Sequence, residues 1–247
     1  MGIEIASDTL LIIPCCASKS SGGQAMRALA DPLKDMVPDG EYALMMRTRT
    51  AVLASIRSTP KYLAEKYAKN RFIVDGPDVA GEDSGGLYSD ALSRYEGRLY
   101  SVPKMKPAVE QMLAQANGPK MLILSALYGP LHPFSPIQDY NLMMSDPPAR
   151  PWGAAFIPFL EAYVRQNHIK KVVMYVGSGT RYYVVAKKAV SNLIHKGLVT
   201  QGLQYHVTDG STPTTPLQHG LRLLDDLDPR PAEGFPRSVG IVENFLA

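Results

Sequence analysis

Three short apolar runs punctuate the chain, at residues 9–14, 121–124 and 172–176, and each gives way to small or polar residues. They are too short and too continuous to be one face of a helix, so they predict strands buried on both faces. Between and beyond them, apolar positions recur at helical spacing and predict helices over roughly 24–36, 48–69, 104–117, 151–167 and 180–195. Pro103 and Pro107 suit the first turn of the third helix and Gly118-Pro119 ends it. Gly197 is placed to stop the last one, and residues 203–207 read as a further strand. Strands alternating with helices predict a single α/β domain with a central, mainly parallel sheet flanked by helices. A helical basic insertion is expected near 40–70, an irregular loop at 70–100, and a proline-rich strap over 228–247.

The second run opens the most informative stretch. Residues 120–141 read KMLILSALYGPLHPFSPIQDYN: a strand, then Ser125-Ala126, a turn through Tyr128-Gly129-Pro130, and a loop closing on Ile137, Asp139, Tyr140 and Asn141. Loops leaving the carboxyl ends of strands are where open α/β sheets bind ligands. One that carries two tyrosines, a carboxylate, an amide and His132 reads as a site.

Composition narrows the class. With 247 residues, 45% apolar and 20% charged, the chain is globular and able to bury a full core. No stretch approaches the roughly 20 apolar residues of a membrane span. Glu4 and Asp8 precede the first run without a basic segment, which does not read as a secretory signal, and a cytoplasmic location is expected. The two cysteines, Cys15 and Cys16, are adjacent and do not make a useful staple. The five scattered histidines and the lack of a CxxC pair argue against zinc, and neither cofactor nor metal is expected. The net charge of +3 is unevenly spread: Arg47, Arg49, Arg57, Lys61, Lys66, Lys69 and Arg71 are opposed within their segment only by Glu65, while acids gather at Asp225, Asp226, Asp228 and Glu233. Such a basic segment is either a solvated helix face or a seat for a phosphate backbone.

These residues resemble the YaaA superfamily and its relatives of unknown function (the DUF6884 type). The resemblance is carried by Pro14-Cys15-Cys16-Ala17-Ser18-Lys19 after the first strand, by Ala91, Tyr95 and Gly97, and above all by Leu124-Ser125-Ala126-Leu127-Tyr128-Gly129-Pro130-Leu131 followed by Ile137-Gln138-Asp139-Tyr140. It covers about half the chain, and Pro130 stands where the family pattern has Leu, which stiffens the loop. It implies a compact α/β fold, binding of DNA or nucleobases and, by analogy with distant kin, enzymes that excise modified phage bases.

If the strand ends converge, Lys19, Tyr128, Asp139, Tyr140 and Asn141 line one hollow, with Ser18, Ser125 and Ser178 at its rim. Cleaving an N-glycosidic bond needs a carboxylate to orient water or offset positive charge, for which Asp139 stands. It needs donors to the departing base, from Lys19 or Asn141, and flat surfaces to hold that base, from Tyr128 and Tyr140. Cys15, Tyr95, Gly129 and Gly177 complete the expected ligand contacts, and Arg47, Arg49, Arg57 and Lys61 the backbone contacts to double-stranded DNA, whose modified base would be flipped outward. Plainer roles stand beside these: a packed loop tyrosine at 128, an Asx turn at 139, small buried thiols at 15 and 16, and a tight turn at Gly177-Ser178-Gly179. Glu82, Asp83 and Glu96 are alternative carboxylates. The leading reading is a DNA glycosylase-like enzyme. The alternatives are a non-enzymatic DNA-binding stress protein and a nucleoside or nucleotide hydrolase.

Overall fold

A computed structural model describes residues 3–25, 31–75, 87–208, 214–228 and 238–244. In chain order the elements are β1 (Thr9–Pro14), β2 (Gln24–Ala25), α1 (Asp39–Arg57), α2 (Asn70–Asp75), β3 (Leu87–Asp90), α3 (Ala91–Arg94), α4 (Met105–Leu113), β4 (Lys120–Ser125), β5 (Gly129–Leu131), β6 (Pro136–Ile137), α5 (Trp152–Gln166), β7 (Lys171–Met174), α6 (Arg181–His195), β8 (Gln201–Val207), α7 (Thr215–Leu227) and β9 (Gly240–Asn244). The fold is mixed α/β around a six-stranded, mostly parallel sheet of order β5-β4-β1-β7-β8-β9. The β1–β7 and β7–β8 pairs are parallel, and the edge pairs β4–β5 and β8–β9 are antiparallel. All three apolar runs and the 203–207 segment are strands of this sheet. Leu10, Leu11, Ile12 and Ile13 of β1 are fully buried, each contributing about 1.5–3 kcal/mol of apolar burial.

The backbone divides into two compact units. One comprises residues 1–14, 96–122 and 167–247. In it α4 and α6 lie within the helices expected over 104–117 and 180–195, α4 ending early at Leu113, while α7 was not expected. α4 carries Pro107 in its first turn, and Thr180 caps α6 by accepting from the Tyr183 N–H at 3.2 Å. Gly197 ends α6 at φ +66°, its N–H donating to Ile194 O and that of Leu198 to Leu193 O, the paired bonds of a Schellman stop. α7 packs on α4 and on β8, and Asp226 on its inner face is a structural anchor that receives the Ile3 N–H, the Tyr175 hydroxyl and Arg222 Nε, each at 2.8 Å. Within the strap expected at 228–247, Gly240–Asn244 form β9 on the edge of β8; Glu233 and the intervening prolines lie outside the described residues.

The other unit comprises residues 15–95 and 123–166. Here α1 packs on α5, and β2, β3 and β6 form a small three-stranded sheet. Two expectations are corrected. The helix over 48–69 is α1, starting earlier at Asp39 and ending at Arg57; beyond it Pro60 opens one short 3-10 turn (Pro60–Leu63), and a second (Glu65–Tyr67) follows before α2. Proline cannot continue a helix interior, which explains the break. The helix over 24–36 is replaced at its ends by β2 and a 3-10 turn at Pro32–Asp35, and its middle, like Glu82 and Asp83, lies outside the described residues. Pro130 sits on the edge strand β5, where a missing N–H costs least.

The β4–β5 hairpin turns at Gly129, which adopts φ +70° with its α-carbon against the indole of Trp152; a Cβ there would lie 2.3 Å from that ring. Gly129→Ala should therefore combine left-handed strain with a clash against a buried ring, lowering stability by about 2–4 kcal/mol. Urea unfolding of the variant beside the unaltered protein checks this, and an unchanged midpoint would refute it.

Candidate functional site

The turn after β1 brings its lysine inward. Lys19 is buried and forms an isolated antiparallel bridge with Tyr95, and its ammonium donates to Cys16 O at 2.9 Å and Ala17 O at 3.4 Å. It also sits over the Tyr140 ring, 3.9 Å from the centroid. Burial pushes this ammonium below the ordinary lysine range, and the neighbouring Cys15, Cys16 and Asp139 partly oppose that. Cys15 is buried, and the Cys16 thiol donates to Ser18 O.

Beneath the lysine runs a chain of hydroxyls. Tyr140 OH lies 2.9 Å from Tyr95 OH and 2.7 Å from Ser125 Oγ, and Ser125 Oγ accepts the Tyr128 N–H at 3.0 Å. The Tyr128 phenol accepts the Gln138 N–H at 2.9 Å, and its ring meets Tyr140 edge-on at 5.5 Å. Burial raises the phenols of Tyr95 and Tyr128 above their ordinary values, so both stay protonated. Asp139 pairs through Oδ2 with Lys69 at 2.7 Å, while Oδ1 is buried with no hydrogen-bond partner among the described residues. The same holds for Gln138 Oε1 and Arg94 Nε; the rest of the Arg94 guanidinium donates to Ser20 O, Gly22 O, Leu87 O and Ile137 O.

The N-terminal turn and the 128–141 segment thus meet as the sequence predicts, but the space between them is occupied by Lys19 itself. Tyr128 and Tyr140 are fully buried, and one face of Tyr140 carries the lysine, so neither is an open platform for a base. Tyr128 is the packed loop tyrosine of the plainer reading. Ser125 is a buried link in the hydroxyl chain rather than a rim group, whereas Ser18 is exposed. Asn141 is committed to a clamp: its N–H donates to Asn70 Oδ1, its carbonyl accepts from Asn70 Nδ2, and its amide donates to Lys66 O. Gly129 serves the hairpin. Gly177 and Ser178 lie in the other unit, on the turn where Thr180 Oγ1 donates to Gly177 O at 2.7 Å.

Among the expected phosphate contacts, Arg49 is corrected. It is buried, with Nε donating to Tyr128 O at 2.7 Å, Nη2 to Pro130 O at 3.1 Å and Nη1 facing Asp31 at 3.4 Å. Arg47, Arg57 and Lys61 are exposed, as are Lys66, Lys69 and Arg71. Asp31, Asn70 and Arg94 escaped the sequence reading because their partners are backbone or distant side chains, which no local spacing announces. Among the described residues no three His, Cys, Asp or Glu side chains converge as metal ligands.

Residues 39–201, more than half of the chain, match the family model described as peroxide stress protein YaaA. No curated protein matches the chain.

The hydroxyl chain gives a direct test of this packing. Tyr140→Phe keeps the ring under Lys19 and removes two buried hydrogen bonds, so a loss of about 1–3 kcal/mol is expected by denaturant unfolding. A variant as stable as the parent would show that the chain of hydroxyls contributes nothing.

Proposed function

The chain belongs to the YaaA peroxide stress protein family, and from that premise we propose that it is a DNA-binding stress protein that grips the phosphate backbone with the basic segment 47–71. The observation that supports this most is the exposure of Arg47, Arg57, Lys61, Lys66, Lys69 and Arg71 in a segment where Glu65 is the one acidic residue. Cations placed in solvent and largely unopposed release condensed counterions when they meet phosphates, which drives binding without reading sequence. Lys69 is shared with Asp139, so its contribution is smaller than its exposure suggests.

The test is salt-dependent binding of a duplex by fluorescence anisotropy. Combined Arg47→Ala, Lys61→Ala and Lys66→Ala should weaken binding and flatten the slope of log affinity against log salt, by up to about 0.9 for each phosphate left without its cation. A parent protein that binds no duplex at low salt, or a triple variant with the same slope, would refute the reading.

Excision of a modified base with Asp139 as the acting carboxylate is a second reading, favoured by one observation: the buried, unpartnered Oδ1 of Asp139 in the electrostatic reach of Lys19. It requires Lys19 to leave the Tyr140 ring and a flipped base to take its place. Incubation with DNA carrying modified cytosines or thymines, followed by abasic-site detection, decides it. Abasic sites formed by the parent and lost in Asp139→Asn with duplex binding retained would support this chemistry, and their absence from every modified DNA would dismiss it.

A further inference from the structure

Among the described residues Phe72 is the most exposed large apolar side chain, at 79% of its full accessible surface. Its placement follows from the local fold. On α2, Asn70 and Ile73 are one helical turn apart and both fully buried, which sets the inward face of this short helix. Asn70 is fastened there by donating to Tyr62 O at 2.9 Å and Asn141 O at 2.8 Å, and by accepting the Asn141 N–H at 2.9 Å. Arg71 and Phe72 are consequently turned outward on an anchored base. Arg71 Nε donates to Leu63 O at 2.6 Å, which fixes the guanidinium stem, and Lys69 precedes the helix at the surface.

An exposed aromatic ring that directly follows one surface cation, Arg71, and lies three residues beyond another, Lys69, has little to offer a folded core and a good deal to offer a nucleic acid. Cations neutralise phosphates while a neighbouring ring covers the face of a base, and the ring needs only two torsions fixed to do so. We propose that Phe72 stacks on a nucleobase of DNA held across the basic 47–71 segment, preferring a base that is unpaired. This rests on the DNA-binding reading above and adds a contact that phosphate neutralisation does not supply. The charge close to the ring in sequence favours this occupant over a protein partner: exposed Lys66 and Arg71, with Lys69 shared with Asp139, match a polyanion, whereas a protein interface excludes charge from its centre.

The experiment uses the full chain and a short duplex with one unpaired 2-aminopurine. Binding by the parent should quench the reporter by stacking. Phe72→Ala should bind about 5- to 150-fold more weakly, with the quench abolished and the salt slope unchanged, and Phe72→Trp should restore both. Equal affinity and equal quench in Phe72→Ala would overturn the inference alone, leaving the basic segment in its role. A change in self-association of Phe72→Ala with the quench intact would also overturn it, assigning the ring to a protein interface. Absence of any salt-dependent binding by the parent would remove the DNA-binding reading and this inference together.

Discussion

Burying an irregular loop obliges the protein to find a donor for every carbonyl that the loop takes out of water. The segment that follows β4 is such a loop, and its surroundings read as a set of answers to that demand. Arg49 reaches from α1 to the carbonyls of Tyr128 and Pro130, Trp152 donates to Ala126 O, and Arg94 reaches Ile137 O. The Ala91 and Leu92 N–H groups at the start of α3 meet Ser135 O and Pro133 O, and Asn70 closes the far end at Asn141. Asp31 holds Arg49 and also receives the Ser135 hydroxyl at 2.6 Å, so one carboxylate steadies both the donor and the loop. Removing one partner of such a buried pair would leave an uncompensated charge.

That requirement explains why the most site-like residues of the chain are mostly spent. Tyr128, Tyr140, Asn141 and Ser125 have the chemistry of ligand contacts, and the fold uses it to close its own polar groups. Among the described residues of the loop and its donors, what remains unspent is one oxygen of Asp139, the side-chain amide oxygen of Gln138 and one Arg94 nitrogen. The exposed cations of 47–71 and the ring of Phe72 lie outside that closed network, turned to solvent.

The fold was legible wherever one physical signal dominated. Continuous apolar runs gave β1, β4 and β7, the 203–207 segment gave β8, and Thr180 and Gly197 marked both ends of α6 because caps are local chemistry. It was less legible where a short-range pattern met a breaker or a distant partner. Pro60 split the expected 48–69 helix, and β2, β3 and β6 are too short to carry a period of their own. β9 is held by pairing with β8 rather than by burial of its side chains; its Ile241 and Val242 remain partly exposed. In the candidate site, the meeting of Lys19 with the 128–141 segment was anticipated from motif positions alone. The direction of Lys19 was not: burial of a lysine over a tyrosine depends on three-dimensional neighbours that spacing does not encode. Arg49 is the sharpest case, since a guanidinium in a run of surface cations gives no sign that it alone turns inward.

Trp152 is the only tryptophan in the chain, and its indole both covers Gly129 and donates from Nε1 to Ala126 O at 3.1 Å. The sole near-ultraviolet chromophore of that type is therefore lodged against the hairpin that begins the motif loop. Its emission wavelength reports whether that hairpin is seated or released, with no label attached, and separates loosening of this segment from changes elsewhere in the molecule.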